Sequence, residues 1–272
     1  MLAIKNNVMA SNAARNLSGS YNNLTKSVER LSSGLRINSA KDDAAGLAVR
    51  ELMRADMAVI EQGARNAADG ISMLQTMEGA MAQIDDFLVR LQSLAEQAST
   101  ESYSSTQRGI MNNEFAEIIA EIDRIAQNTK FNGTAMLDNT STVSIHFGEL
   151  TSDKIEIDGD NLTSASGGLD IADLEIGTAA SAKAALSSVE TAIKTKDTAR
   201  AKFGYKMNRL EGTENVLNIQ AENLLAAESR VSDVDVATEM ANMTKNQVLA
   251  QAGVSMLAQA NSMPQMALNL LR

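Results

Sequence analysis

The sequence predicts a mainly α fold: a long antiparallel helical rod with a terminal coiled-coil pair and small β-hairpins in the middle of the chain. Three observations carry that prediction. Across residues 180–231, alternate steps of three and four pick out Leu186, Val189, Ile193, Lys196, Arg200, Phe203, Met207, Leu210, Glu214, Leu217, Ala221, Leu224, Glu228 and Val231, ten of the fourteen apolar. That alternation is a heptad seam, so one stripe of a continuous helix must lie against other helices. At 1.5 Å per residue the helix is roughly 75–80 Å long, more than a compact domain needs, and the expected shape is a rod. The composition agrees: 272 residues, 44% hydrophobic but only 3% aromatic, with one Pro and neither Trp nor Cys, suits packed helices better than a sandwich or a pocketed enzyme. Only across residues 139–177 does the apolar period shorten from 3.5 to 2, with Val143, Ile145, Phe147, Ile155 and Ile157 alternating with polar residues and glycines between them, the pattern of one or two small hairpins.

The first helix is expected from about residue 6 to 33, with Leu17, Tyr21, Leu24, Val28, Leu31 and Leu35 as its seam and Gly34 just past its end. A polar connection through residues 38–43 follows, where Ser39 and Asp42 have capping-box spacing. The second long helix carries its stripe through Ala67, Ile71, Leu74, Met77, Met81, Ile84, Leu88, Leu91, Ala95 and Ala98, and its internal Gly63, Gly70 and Gly79 suggest close helix approach. After a polar turn at 99–105 a third helix places Phe115, Ile118, Ile122 and Ile125 on one face and stops near Asn132-Gly133, a strong turn signal. The short loop makes these two helices antiparallel. Beyond Arg230, Ser232 and Asp235 repeat the capping-box spacing and start a last helix. Its stripe is Met240, Met243, Gln247, Ala250, Val254 and Leu257; Pro264 is expected to interrupt it, and Leu270 and Leu271 close the chain. Both ends thus offer an apolar-striped helix set off by a polar joint, and the two are expected to pair.

Several function classes are disfavoured. The formal net charge is −10, with residues 1–36 at +4, residues 232–272 at −1 and the remainder at −13, which makes nucleic acid an unsuitable partner. No apolar run reaches 18 residues, so no membrane span is expected, and the N-terminus lacks a signal-peptide layout. Absence of Cys excludes disulfides and thiolate metal sites. His146 is the sole histidine and reads as an ordinary strand residue; Asp42-Asp43 reads as a helix start; no H-E-x-x-H or Gly-rich phosphate loop is present. No catalytic, cofactor or metal site is expected.

The chain resembles bacterial flagellins. The similar text is Asn12 to Leu17, Leu31 to Ala48, Ile122 to Ile125 and Phe131 to Gly133 towards the N-terminus, then Arg230 to Asp235, Gln251 to Gly253, Leu257 to Asn261 and Leu270 to Arg272. The order of these motifs at both ends carries the specificity. The resemblance implies a flagellar filament subunit in which residues 1–42 and 232–272 form the inner tube of terminal helices and residues 43–231 form the outer rod, with hairpins at about 139–177 and little outer domain. It implies polymerisation with copies of itself through Leu17, Tyr21, Leu24, Val28, Leu31, Met243, Ala250, Val254, Leu257, Leu270 and Leu271. It also implies export through the flagellar secretion apparatus with a chaperone on the C-terminal region, contact with hook-associated and cap proteins, and an extracellular location. Contacts to a host Toll-like receptor carry over onto Arg90, Leu94 and Glu114, on a face expected to be exposed in a lone subunit. A hook-filament junction protein, a coiled-coil scaffold and a membrane-active helix at residues 1–35 are the alternatives, separated by filament seeding, sedimentation and vesicle binding.

Overall fold

The computed structural model describes residues 7–270, apart from the side chains of residues 265 and 267–270. Its elements run α1 (Val8–Ser33), α2 (Ala44–Ser99), α3 (Ser105–Asn128), β1 (Lys130–Phe131), β2 (Thr134–Ala135), β3 (Thr142–His146), β4 (Lys154–Asp158), α4 (Ala179–Ser232) and α5 (Val236–Leu270). Two compact units result, one of Met1–Ala55 with Asn223–Arg272, the other of Asp56–Glu222.

The second unit holds a continuous apolar core. On α2 the stripe falls where the period puts it: Ala67, Leu74, Met77, Met81, Ile84, Leu88, Leu91, Ala95 and Ala98 are buried, and only Ile71 is partly exposed. Helix α3 contributes Phe115, Ile118, Ile119, Ile122 and Ala126. It starts with Ser104, whose side chain accepts from the Gln107 backbone while the Gln107 side chain accepts from the Ser104 N–H, a reciprocal cap that satisfies two donors at the helix start. Helix α3 returns antiparallel along α2, with Arg90 paired to Glu114. Helix α4 also runs antiparallel to α2, with Asp85 opposite Lys196 and Glu78 opposite Arg200.

The α4 seam differs from the expected stripe in its first half. Ala182, Ala185, Val189, Ala192, Ala199 and Phe203 are the buried positions, while Leu186 and Ile193 are half-buried and Arg200 is exposed. Small side chains take the innermost register there and larger neighbours close over its edge. Lys196 lies in the same seam at 2% exposure, with its Nζ bonded to the carboxylates of Asp85 and Asp197. Burial works against its charge, but the two carboxylates overcome that cost and raise its pKa. The surrounding protein shell is thin, since Asp85 and Asp197 keep contact with water.

Of the one or two hairpins expected in residues 139–177 one forms there, and a second, shorter one lies upstream of that region. β1 and β2 flank Asn132 and Gly133, both at positive φ (47° and 81°), the conformation a type I′ turn demands. β3 pairs antiparallel with β4, Val143 opposite Ile157 and Ile145 opposite Ile155, and Ile155 and Ile157 are buried. Residues 159–178 form no strand. They bury Leu162, Leu169, Ile171 and Ile176 and are tied to α3, where Asp123 accepts from the Ser164 N–H and hydroxyl at 2.6 Å each and Asn112 from the Ile176 N–H at 2.7 Å. The α2 glycines serve this hairpin more than helix approach. A Cβ at Gly63 would overlap the Phe147 carbonyl, and one at Gly70 would press on Ile145 and Leu210 at 3.2 Å, whereas Gly79 faces open space.

Replacing Lys196 by Ala leaves two carboxylates without their shared donor and opens the seam. We expect Lys196→Ala to destabilise the 56–222 unit by about 1–3 kcal/mol in urea unfolding. Lys196→Met keeps the stem and lets both acids rehydrate, so it should stay within about 1 kcal/mol of wild type.

Candidate assembly surface

Helices α1 and α5 pack as an antiparallel pair. The register is fixed at both ends and in the middle: Asn7 Nδ2 donates to the Ala260 carbonyl at 2.7 Å, a Cβ at Gly253 would sit 3.1 Å from Leu17 Cδ1, and Arg30 faces Glu239 at 3.6 Å. The Asn7 contact explains why Pro264 does not interrupt α5, against expectation. Proline removes the N–H that would bond the carbonyl four residues back. That carbonyl belongs to Ala260, and Asn7 supplies the missing donor while its Oδ1 caps α1 by accepting from Ala10 N.

The inward stripe of α1 is Ala10, Ala13, Leu17, Ser20, Leu24, Ser27 and Leu31, and that of α5 is Glu239, Met243, Asn246, Ala250, Gly253, Leu257 and Ala260. Leu17, Leu24, Leu31, Met243, Ala250 and Leu257 therefore face the interior of the pair. Tyr21 and Val28 do not: each is 49% exposed, as is Val254. The expected α1 seam mixed two faces, because serine at 20 and 27 hides the true heptad positions from a hydrophobicity count. Leu271 lies outside the described residues, and of Leu270 only the backbone is described.

Outside the pair, large apolar side chains are left open to water. Val8, Met9, Tyr21 and Val28 on α1 are exposed, as are Val236, Met240, Val248, Leu249, Val254 and Met256 on α5. Met9, Asn12, Leu17, Leu249, Gly253 and Met256 are among the residues that line an open groove of about 410 Å³ between the two helices.

The two polar joints are stitched to each other. Leu35 and Asp233 form an isolated antiparallel bridge, Arg36 N donates to the Ser232 carbonyl at 2.6 Å and Val234 N to the Gly34 carbonyl at 3.0 Å. Arg50 Nη1 holds the carbonyl of buried Ile37 at 2.9 Å. Capping falls three or four residues beyond the expected serines. Asp43, not Ser39, caps α2 by accepting from Gly46 N, and Asp235, not Ser232, caps α5 by accepting from Ala237 N and the Thr238 hydroxyl. Asp42 closes the preceding turn instead. It accepts from Lys26, Ser39 and the Asn38 backbone, and chiefly the Lys26 hydrogen bond lowers its pKa to about 2. Asp235 is lowered as well, first by the Thr238 hydroxyl.

The receptor-contact candidates are split. Arg90 donates to Glu114 at 2.9 Å and both are half-exposed on the surface of α2 and α3. Leu94 is 2% exposed and belongs to the core, so the face expected to be open holds only two of the three. The reason is stripe width: α2 packs against more than one element, and a position next to Leu91 and Ala95 is covered along with them. His146 is exposed at the end of β3, its carbonyl accepting from Asn66 Nδ2 at 2.8 Å. Among the described residues no group of three or more His, Cys, Asp or Glu is placed to hold a metal, and no helix is long and apolar enough to cross a membrane.

A mainly helical chain whose terminal helices pair through a stripe that mixes leucines and a methionine with small and polar side chains, leaving further large apolar ones outward, fits the class of helical structural proteins. The chain belongs to the bacterial flagellin family: residues 4–142 match the bacterial flagellin N-terminal helical region and residues 186–271 the C-terminal helical region. Over 272 residues, all of both chains, it is 41% identical to a flagellin of Halalkalibacterium halodurans. It is 40% identical over 286 positions, again all of both chains, to the flagellar filament 33 kDa core protein of Treponema phagedenis. The crystal structure of Bacillus cereus flagellin matches with a TM-score of 0.52 at 30% identity, covering 60% of this chain and 94% of that one. A putative flagellar hook-associated protein from Vibrio parahaemolyticus shares the fold alone, with a TM-score of 0.58 at 13% identity over 71% of this chain and 100% of that one.

The lowered Asp42 carboxyl sets a pH dependence. A group whose pKa is lower in the folded state contributes stability above its ordinary value near 4 and loses it as pH falls towards the folded value of about 2. Amide exchange at residues 38–43, corrected for intrinsic rates, should therefore quicken between about pH 4 and about pH 2 in wild type. Asp42→Asn should show much less of that step.

Proposed function

We propose that this chain, a structural subunit of the extracellular flagellar filament, polymerises through the outer face of its α1–α5 pair. The carrying observation is the set of exposed apolar side chains on both helices, Val28 and Val254 among them, surrounding a two-helix module with a thin interior. Exposed apolar surface on that scale calls for a partner, and a two-helix module with so little to bury is marginal until copies cover it. Residues 1–42 and 232–272 then form the inner tube and residues 43–231 the outer one. That division is supported by both chain ends falling in the same compact unit, although the structural boundary lies further along, near 55 and 223.

Substitution on the outer face separates assembly from folding. Val28→Asp and Val254→Asp place a charge where the lone subunit has water, so its helix content should be unchanged, while seeded elongation should fall at least about tenfold as that charge loses its hydration on burial. Elongation at the wild-type rate would refute the interface. Leu24→Asp or Leu257→Asp should instead loosen the pair itself and leave the 56–222 unit folded, with protease resistance from about 45 to 228 retained. Long filaments grown from purified subunit also separate this reading from a hook-filament junction protein or a coiled-coil scaffold.

Family membership supports further partners. The chain is exported through the flagellar secretion apparatus with a chaperone on its C-terminal region, it meets hook-associated and cap proteins, and its α2–α3 face is a candidate ligand for a host Toll-like receptor. For the receptor, Arg90 and Glu114 are the accessible contacts, and their mutual ion pair, worth about 1 kcal/mol or less, is easily exchanged. In a receptor reporter assay the wild-type monomer should signal and Arg90→Ala and Glu114→Ala should signal less; a silent wild-type monomer refutes the contact.

A further inference from the structure

Methionine is unevenly exposed in this chain. Among the described residues, the large exposed methionines Met9, Met240, Met256 and Met266 all lie on α1 or α5 in the terminal unit, whereas Met73, Met77, Met81 and Met136 in the other unit are buried to 4% or less. Two of the exposed four, Met9 at 59% and Met256 at 63%, line the same groove from opposite helices. The chain contains no Cys, so its thioethers are the only sulfur a two-electron oxidant can reach.

We propose that Met9 and Met256 form an oxidation-sensitive site that gates assembly, a reading that rests on the polymerisation surface described above. The co-reactant is a peroxide-class oxidant. A sulfur lone pair attacks the terminal oxygen, an S–O bond forms as the O–O bond breaks, and the remaining oxygen leaves as water after proton transfer; the thioether is oxidised by two electrons to the sulfoxide and the peroxide is reduced. The product is polar and a strong hydrogen-bond acceptor. In the free subunit it is served by water and by the neighbouring amides of Asn12 and Asn16, which line the same groove. A copy packing over the groove removes the water, and a sulfoxide without a donor is costly to bury. Oxidation therefore disfavours the covered state, and coverage in turn shields the sulfur. The modification is reversible by the methionine sulfoxide reductases, so the site is a gate and not only a lesion.

The test treats purified full-length subunit with graded hydrogen peroxide, maps oxidation by peptide mass spectrometry and measures elongation from filament seeds. Met9 and Met256 should oxidise at least about ten times faster than Met77 and Met81, as exposure dictates. Elongation should fall in step, the 56–222 unit should keep its unfolding transition, and reductase treatment should restore growth. The double variant Met9→Leu with Met256→Leu keeps the groove's volume and apolarity and retains Met240 and Met266. It should elongate normally before peroxide and stay resistant after it. Equal oxidation rates for buried and groove methionines overturn the site, and so does a double variant that peroxide stops as readily as wild type. Wild type that elongates equally before and after peroxide overturns the gate alone, whereas untreated wild type that never elongates overturns the assembly reading and the gate with it.

Discussion

The constraint on which the terminal unit depends is the thinness of the α1–α5 interface. On α1 the leucines of the inward stripe alternate with serines, and on α5 only Met243 and Leu257 stand among Ala, Gly and polar residues, so the helices approach closely where Gly253 receives Leu17 but bury little apolar area between them. Burial is worth only about 25 cal/mol per Å², which leaves such a pair close to balance with the entropy of ordering it. As many large apolar side chains again stand on the other faces, in water. A module of this kind is inefficient as an independent domain and well suited as half of an interface.

The 56–222 unit solves the same periodicity differently. Its heptad stripes are closed within the chain, with leucines, methionines and Phe115 from α2 and α3, alanines and Phe203 from α4, and the β3–β4 hairpin laid against Gly63 and Gly70. Lys196, covered within its seam, is met by two carboxylates that themselves reach water. The unit closes a continuous core of its own, although Val89, Ile110, Leu150, Tyr205, Val216 and Ile219 stay exposed on its surface, and the contrast with the terminal pair lies in which residues occupy the a and d positions, not in helix length.

Between paired helices and joints the polar groups do the positioning. Asn7 satisfies both its own helix and the carbonyl that Pro264 orphans, Asp43 and Asp235 cap the helices that follow the joints, and the Leu35–Asp233 bridge ties the joints together. The Asn7–Ala260 bond and the Leu35–Asp233 bridge are directional contacts between residues about two hundred or more positions apart, which explains how two terminal helices without aromatic anchors reach one defined register.

The sequence by itself determined the helices, their order and their pairing. Periodicities of 3.5 and 2 are properties of the backbone and show wherever apolar residues repeat, so the stripe of α2 and the extent of the long α4 were legible, and the Asn132-Gly133 turn announced itself by the φ angles only those residues adopt readily. The family motifs at the two ends were equally legible. Which face of a stripe turns inward was not. Ser20, Ser27, Ala185, Ala192 and Gly253 occupy interior positions because helices that approach closely prefer small side chains, and hydrophobicity ranks them below the Tyr21, Val28, Leu186 and Val254 they displace. Only tertiary structure decided that Leu94 is covered, that Pro264 is tolerated and that Asp43 and Asp235 are the caps, because each depends on a partner atom distant in sequence or on a turn geometry that spacing alone does not fix.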